Sequence, residues 1–511
     1  MQKNFIGKNL NLFLIFILIL IQRFAYGLKY FPVVDDWFLY FGRGVKLSNA
    51  ECPKPVPDLS IRPFAGLFDH YVITPLAEHL VIIEILLTVM LIAACIFFGR
   101  CFSEKAKTTD SVFVLFMTIF PISFEGLYWI SAASRIIPSL FFISLSCFCL
   151  KEYISGNKKC FLILFTIFSV FSVGFYEIFV PLYLFLSLCI IASSRKYYLA
   201  FLPFIFALLI ACYYLLNSTT PAISERFSFV KPANFIPHIW YVVLQYKNML
   251  FNGVHMMINS FRGGLNAAIN MPLYGISIII LSIVLALVSK PIKQENTIKK
   301  LIFAFLLMSS ATALNFVADY VRLPFRLFVP MSLGISYGVQ LILCKLPKIP
   351  YKVFVAIFAV VFSVTNTQSL ALYKKTFEYD TANAYKLIRL GAANPERITF
   401  ILNAPQYCYD DNTQWYEYVK CSTENYAPIT GQVQYLTKNG NIPNIMCVHS
   451  DKTFTYFTYD ASIMQFFWYD NGKYTECKLT PCDTGYSILN GDKILGEILS
   501  DGSSMRLICS L

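Results

Sequence analysis

The sequence lacks the short motifs that mark many soluble enzymes, and it has few charged residues. It contains no G-x-G-x-x-G dinucleotide-binding turn, no Walker phosphate loop and no H-E-x-x-H zinc motif. Charged residues make up only 14% of the chain. Basic residues outnumber acidic ones and give a net charge of +12, but they form no basic stripe interleaved with stacking aromatics. Nucleic acid is therefore not an expected partner. The missing motifs exclude little among membrane enzymes.

Long apolar runs are abundant instead. The chain has 511 residues, of which 57% are hydrophobic, and its mean hydropathy is +0.57. The apolar runs are roughly 14–20 residues long, and most of them are about long enough to cross the ~30 Å hydrocarbon core of a bilayer. They lie at 10–27, 80–99, 111–124, 136–150, 160–175, 178–193, 197–216, 271–289, 301–317, 325–344 and 351–369. This pattern predicts a polytopic α-helical membrane protein with about eleven transmembrane helices.

The connections between these runs alternate in character. One set is short and rich in Lys and Arg, which places it in the cytoplasm together with the N-terminus by the positive-inside rule. The other set includes the longer segments 28–79, 217–270 and 370–511, which are then outside. An alternative is that the first run is a cleaved signal peptide ending near "FAYG". Both interpretations leave residues 28–79 outside.

The composition changes near residue 370, which divides the chain into a transmembrane domain, 1–370, and a C-terminal domain, 371–511. The final part holds 12 of the 42 basic residues but 15 of the 30 acidic ones. Asn-Gly and Asp-Gly turns separate aromatic segments such as "MQFFWYD", and "NAYKLIRL" has helical spacing. We expect a small, exported α+β domain. The cysteines of this domain predict at least two disulfides, although the sequence does not show which cysteines pair. A metal site is the weaker alternative. The cysteines are Cys408, Cys421, Cys447, Cys477, Cys482 and Cys509.

Two adjacent acids, Asp35 and Asp36, precede Trp37 just outside the first apolar run. Adjacent carboxylates in apolar surroundings cost free energy, so they need a reason. One carboxylate could act as a general base for an acceptor hydroxyl while the other fixes an Arg or a sugar hydroxyl. We expect at least one to be catalytic, with Asp36 favoured. The alternative is that Asp36 caps the helix that follows it.

Further polar and aromatic residues lie at outward span ends, where outward Arg residues run against the positive-inside trend. We expect the arginines to bind a phosphate group through the planar guanidinium fork, and the acids and aromatics to contact sugar or acceptor together with Trp37. The alternative is that these arginines only pair with nearby acids such as Glu125, Asp319 or Glu177, or reach lipid headgroups. The candidate phosphate-binding residues are Arg62, Arg135, Arg322 and Arg326, and the other candidates are Glu125, Tyr128, Trp129 and Glu177.

The outward "DD", the many spans and the exported tail resemble the C-type (GT-C) glycosyltransferase superfamily. Within it, "VVDDWFLY" and the "YWISAASR" turn are similar to the serotype-converting O-antigen glucosyltransferases of enteric bacteria and their phages. The resemblance covers the whole layout, although the specific motifs are short.

This resemblance implies a hexosyltransferase, glucosyl being the expected group, in the bacterial inner membrane with a periplasmic C-terminal domain. Its donor would be an undecaprenyl-phosphate sugar. Its acceptor would be the lipid-linked repeat unit of the O-antigen, the part of lipopolysaccharide whose modification changes the serotype. A donor-lipid synthase and a flippase would be functional partners, with no metal or other cofactor. The first-loop acid of the family corresponds to Asp35 or Asp36. The alternatives are an O-antigen polymerase or ligase, or a non-enzymatic flippase or transporter.

Overall fold

The chain is mostly helical and ends in a β-sheet. The computed structural model describes residues 3–42, 62–102, 109–194, 196–216, 229–292, 297–319, 323–408, 419–424, 426–438, 443–449, 463–483, 485–499 and 505–507. The described residues form two compact units. The chain divides between Leu370 and Ala371, and residues 31–42 and Ile73–Ala77 group with the C-terminal unit.

Helices occupy every apolar run that the sequence shows. The α-helices of the first unit are α1 (Lys3–Arg23), α2 (Pro63–Phe68), α3 (Leu80–Phe102), α4 (Ser111–Ile119), α5 (Phe124–Tyr128), α6 (Ile130–Gly156), α7 (Lys159–Phe175), α8 (Val180–Ser194), α9 (Phe201–Leu216), α10 (Phe235–Asn270), α11 (Pro272–Val288), α12 (Thr297–Ser310) and α13 (Phe328–Leu343), and α14 (Lys348–Arg389) contains the division. Within the described residues, six helices are long and apolar enough to cross a membrane, or seven if the bent pair α10–α11 is one span.

Helix α4 occupies the core of the first unit, because all nine of its residues are buried. Its N-cap is Asp110, whose Oδ1 accepts a hydrogen bond from the Val112 amide at 2.9 Å and another from the Tyr351 hydroxyl at 2.8 Å. A capping carboxylate satisfies an amide that the first helical turn leaves without a backbone partner. Asp110 thus joins the start of α4 to the start of α14.

Helix α10 lies within the segment 217–270, for which the sequence predicted an outward connection but no helix. It runs for 36 residues, and a 112° bend separates it from α11. Its buried face carries small residues, and a Cβ on Gly264 would lie 1.8 Å from the Val364 carbonyl oxygen of α14. Glycine therefore permits the close contact between these two helices. The periodic spacing of buried Val242, Met249 and Met256 was the sequence signal for this helix.

The second unit contains a seven-stranded sheet in the order β2-β1-β3-β4-β5-β6-β7. The strands are β1 (Ile398–Leu402), β2 (Asn444–Val448), β3 (Met464–Asp470), β4 (Lys473–Cys482), β5 (Gly485–Asn490), β6 (Lys493–Leu499) and β7 (Met505–Leu507). Strand β1 is parallel to both β2 and β3, whereas the remaining pairs are antiparallel. Helix α15 (Tyr426–Thr437) makes the crossover from β1 to β2 that a parallel pair requires.

Both faces of the sheet are covered near β1. Phe400 packs with Phe466 and Ile488 on one face, whereas Ile401 packs with Leu387 of α14 and Val433 of α15 on the other. All five residues of β1 are therefore buried, as expected for a strand that is covered on both faces. The sequence predictions for "MQFFWYD" as a strand and "NAYKLIRL" as a helical continuation of the last run are confirmed.

Candidate functional site

The acid pair lies on a strained turn in the second unit. Val34 has a φ of +43°, a left-handed conformation that a β-branched residue rarely adopts. The turn is closed by hydrogen bonds from the Asp36 amide to the Val33 carbonyl at 3.0 Å and from the Trp37 amide to the Val34 carbonyl at 3.1 Å. Strain of this kind is concentrated at functional sites.

The two carboxylates occupy different environments. Asp35 is exposed, whereas Asp36 is completely buried. The Oδ2 atom of Asp36 accepts a hydrogen bond from the Val33 amide at 3.3 Å, three residues earlier in the chain. An N-cap instead accepts from amides two or three residues later, so this contact is not a cap for the helix that follows. The exposed acid is the one that an acceptor hydroxyl could reach from solvent.

Trp37 begins the π-helix Trp37–Gly42 and is buried among aromatic rings. Its ring stacks on Phe377 with 5.8 Å between centroids, and Phe41 and Tyr435 lie at 5.1 Å and 6.1 Å. A Cβ on Gly431 of α15 would lie 2.6 Å from the Trp37 carbonyl oxygen, so this π-helix packs directly on α15. Trp37 therefore fixes the position of the acid pair, and its role in sugar binding stays a prediction.

In the first unit, two ion pairs hold the ends of the short helix α2. At its N-terminus, the Arg62 Nε and NH2 groups donate to the two carboxylate oxygens of Glu177, each at 2.8 Å. Arg62 also lies 4.6 Å from the centroid of the Tyr176 ring. At its C-terminus, Asp69 accepts hydrogen bonds from Arg135, one of them at 3.1 Å. The helix is thus tied at one end to Glu177, in the short turn that follows α7, and at the other end to α6.

The Arg135–Asp69 pair is more deeply buried than the Arg62–Glu177 pair. The side chains of Arg135 and Asp69 are 4% and 7% exposed, and Arg135 also donates to the Ser134 hydroxyl at 2.6 Å. Arg62 is 13% exposed. Of the two arginines, Arg62 is therefore the more accessible to an anionic ligand.

A third ion pair joins Arg326 to Glu125 of α5. The Arg326 amide and its NH1 group donate to the two Glu125 oxygens at 3.1 Å and 3.3 Å. The guanidinium lies 5.6 Å from the Trp129 ring, and the Arg326 side chain is 23% exposed. Gly126 permits this contact, because a Cβ there would lie 2.9 Å from the Arg326 carbonyl oxygen. Three sequence candidates, Glu125, Trp129 and Arg326, are thus brought together.

The remaining candidates are placed differently. Tyr128 is buried and stacks on Phe124, with 5.2 Å between ring centroids. Arg322 lies outside the described residues. Asp35, Asp36 and Trp37 belong to the second unit, whereas the candidate arginines that the structure describes belong to the first. Among the described residues, no group of three His, Cys, Asp or Glu side chains could hold a metal ion.

Sequence reasoning missed a fourth ion pair, between Arg23 and Glu84, in which both side chains are buried. Arg23 forms a salt bridge with Glu84 and donates to the Thr88 hydroxyl and the Leu127 carbonyl, both at 2.8 Å. It thereby connects the end of α1 to α3 and α5. The signal was present, because a carboxylate inside an apolar run such as 80–99 needs a partner.

The disulfide prediction for the tail is wrong. Cys408, Cys421, Cys447 and Cys477 are free thiols, which leaves too few of the six cysteines for two disulfides. Cys447 lies on β2 and Cys477 on β4, with β1 and β3 between them, a separation of about 14 Å. A disulfide needs Cα atoms within about 7 Å, so these two residues cannot pair. Cys509 lies outside the described residues.

Sequence reasoning also overlooked one motif, which has a structural explanation. Gly334, Ser336 and Gly338 are spaced as in the G-x-S-x-G turn of many hydrolases. They lie inside α13, where the Ser336 hydroxyl donates to the Ser332 carbonyl. A Cβ on Gly334 would lie 2.4 Å from the Ala304 carbonyl oxygen. The glycine serves the contact between α13 and α12, and the serine is not on an exposed strand-to-helix turn.

The fold thus defines a helical protein of membrane type with a C-terminal mixed β-sheet. Comparison with protein-family models, curated proteins and solved structures found no match to this chain.

Proposed function

We propose that this protein is a membrane glycosyltransferase that moves a hexosyl group, glucosyl in the first instance, from an undecaprenyl-phosphate sugar to the lipid-linked O-antigen repeat unit. The observation that carries the proposal is the acid pair on its strained turn, with Asp35 exposed and Asp36 buried. A transferase needs a carboxylate that can take the proton of the acceptor hydroxyl as the anomeric bond forms.

The burial of the two acids divides their proposed roles. Asp35 is the proton acceptor, because it is exposed and can meet a hydroxyl group. Asp36 holds the turn through its hydrogen bond from the Val33 amide. This assignment reverses the preference for Asp36 that the sequence alone supported.

The lipid phosphate leaves as an anion, so the reaction also needs cationic groups. Arg62 and Arg326 support this part of the proposal, because each is partly exposed and lies against an aromatic ring. Their carboxylate partners hold the guanidinium planes in fixed orientations. A planar guanidinium matches two phosphate oxygens as well as it matches a carboxylate.

The proposal includes a bacterial inner-membrane location with eleven spans, a cytoplasmic N-terminus and a periplasmic C-terminal unit. Its support is the apolar helices of the first unit and the basic residues of the short connections.

Asn variants of the two acids test the function. Asn is nearly isosteric with Asp but cannot take a proton. Transfer of labelled sugar from undecaprenyl-phosphate glucose to lipid-linked O-antigen is measured in membranes, with protein level measured in parallel. We expect Asp35→Asn to lower the rate by ~10²–10⁴ at normal protein level.

Asp470→Asn, an exposed acid at the end of β3, is the matched control and should transfer normally. Asp36→Asn should mainly lower stability. Its amide oxygen can still accept the hydrogen bond from the Val33 amide, but an NH2 group with two donors replaces the second carboxylate oxygen in a buried site. Normal transfer in both Asp35→Asn and Asp36→Asn would refute the catalytic assignment. The mass and linkage of surface polysaccharide from cells with and without the gene would identify the transferred sugar.

A further inference from the structure

Two segments of the second unit are held side by side after strand β1. The Cys421 amide donates to the Gln406 carbonyl at 2.8 Å, and the Thr423 hydroxyl donates to the Pro405 carbonyl at 2.7 Å. The imidazole of His449 adds a third link, since its nitrogens lie 2.9 Å from the Ala404 oxygen and 2.8 Å from the Glu424 oxygen. The backbone around Cys408 and Cys421 is therefore fixed by contacts that do not involve the thiols.

This scaffold brings the two thiols into contact. The Cys421 thiol donates a hydrogen bond to the sulfur of Cys408. The Cys408 sulfur also lies 3.3 Å from the Thr376 hydroxyl of α14. One turn along α14 from Thr376, the buried carboxylate of Asp380 accepts a hydrogen bond from the Ser422 amide, next to Cys421, at 2.9 Å. Cys408 and Cys421 therefore both lie against this face of α14, and Asp380 faces both thiols. Cys421 is completely buried, whereas Cys408 is partly exposed. A reagent can therefore reach Cys408 but not Cys421.

The surroundings favour the thiolate at Cys408. The hydrogen bond from Cys421 lowers the pKa of the Cys408 thiol to about 7, although burial opposes the change, and Thr376 and Lys375 add smaller effects in the same direction as Cys421. Burial raises the pKa of Cys421 well above its ordinary value. The thiolate is the nucleophilic form of cysteine, so the accessible member of the pair is also the reactive one.

We propose that Cys408 and Cys421 form a thiol–disulfide exchange site, in which Cys408 attacks an external disulfide and Cys421 resolves the product. In the first step, the Cys408 thiolate forms a bond to one sulfur of the disulfide, and the other sulfur leaves as a thiolate. In the second step, the Cys421 sulfur bonds to the Cys408 sulfur, the bond between Cys408 and the external sulfur breaks, and the proton of the Cys421 thiol passes to the departing sulfur, which leaves as the second thiol. The two cysteines lose two electrons, and the external disulfide gains them as two thiols.

The other described thiols of the unit lack this arrangement. Burial raises the pKa of Cys477 to about 11 and that of Cys447 further. Both lie on strands of the sheet, separated by two other strands. Cys447→Ala is therefore a suitable control, because it removes a thiol without touching the proposed pair.

The test uses the full-length protein in detergent, equilibrated with mixtures of reduced glutathione and glutathione disulfide. The reaction is stopped with acid, free thiols are alkylated, and peptides are mapped by mass. We expect wild type and Cys447→Ala to give the Cys408–Cys421 crosslink over the same range of mixtures. Cys421→Ala should stop at a mixed disulfide of Cys408 with glutathione, and Cys408→Ser should leave Cys421 as a thiol.

The pH dependence provides a second measurement that a merely structural pair would not produce. Alkylation of Cys408 in the reduced wild type should rise with pH through a midpoint of about 7, since the thiolate fraction increases as the proton leaves. Cys421→Ala removes the donor and should move the midpoint upward. Two results would overturn the proposal. One is that Cys408 and Cys421 are both still free thiols, and so both alkylated, at the highest concentration of glutathione disulfide. The other is that glutathione becomes attached to Cys421 in the Cys408→Ser variant.

Discussion

Removing only Arg135 from the buried Arg135–Asp69 pair should lower the stability of the protein. The two side chains are 4% and 7% exposed, so neither charge is well solvated. Arg135→Met keeps most of the apolar stem but leaves the Asp69 carboxylate buried without its guanidinium. Removing one partner of a buried pair costs about 3–5 kcal/mol, because the remaining charge stays in a medium of low dielectric constant. From the sequence, Arg135 had instead been assigned to binding of the donor phosphate.

The double variant Arg135→Met with Asp69→Asn separates the two roles. It removes both charges, and a neutral replacement of a buried pair is often close to neutral for stability. We expect the double variant to recover most of the free energy that either single variant loses. Recovered stability with normal sugar transfer means that Arg135 is structural. Recovered stability without transfer means that Arg135 also binds the donor phosphate.

The assay is the midpoint of unfolding of the detergent-purified protein in guanidinium chloride, which is monitored by intrinsic fluorescence. Sugar transfer is measured separately in membranes. Lys374→Met is the control, because its pair with Glu378 is exposed, at 38% and 62% for the two side chains. An exposed i, i+4 pair contributes about 0.3–0.5 kcal/mol at most, so the control midpoint should hardly move. A wild-type midpoint for Arg135→Met, or a double variant no more stable than the worse single one, would refute the reasoning.

Two further expectations follow from single contacts, and a third follows from the proposed topology. Gly264→Ala places a Cβ 1.8 Å from the Val364 carbonyl oxygen and should lower the free energy of unfolding by about 1–3 kcal/mol or more. Gly263→Ala meets the flexible Gln368 side chain and should lower it less, so equal thermal stability of the two variants would contradict this reasoning. Arg62→Lys keeps the charge but loses the two-pronged contact with Glu177, so sugar transfer should fall at normal protein level, and undiminished transfer would argue against phosphate binding there. A reporter fused after residue 511 should be active only in the periplasm, and one at 295 only in the cytoplasm; cytoplasmic activity at 511 would exclude the proposed topology.

Local patterns predicted the helices and much of the sheet. Every apolar run contains a helix, and the Asn471-Gly472 dipeptide makes the β3–β4 turn with φ values of +45° and +82°. Such a turn needs positive φ at both positions, which Asn and Gly adopt at low cost. These features depend on residues that are close in sequence. The helix within 217–270 was not predicted, because its polar residues hide a periodic buried face.

Partner choice could not be predicted in the same way. Arg62 and Glu177 are 115 positions apart, and Arg326 and Glu125 are 201 apart. Several acids and arginines are available at the span ends, and only the packing of helices selects among them. Composition also misled the prediction for the cysteines, because an even number of them says nothing about which strands separate them.

The doubled acid shows what the backbone adds to a sequence pattern. Asp35 and Asp36 lie in a helical turn, where successive side chains point about 100° apart around the axis. Two adjacent carboxylates therefore need not share one environment, and one is buried while the other is exposed. The left-handed Val34 sets the direction of this turn, and Trp37 holds it through its stack on Phe377. Under the proposed function, the buried acid stabilises the turn that presents the exposed one, so neither residue would serve alone.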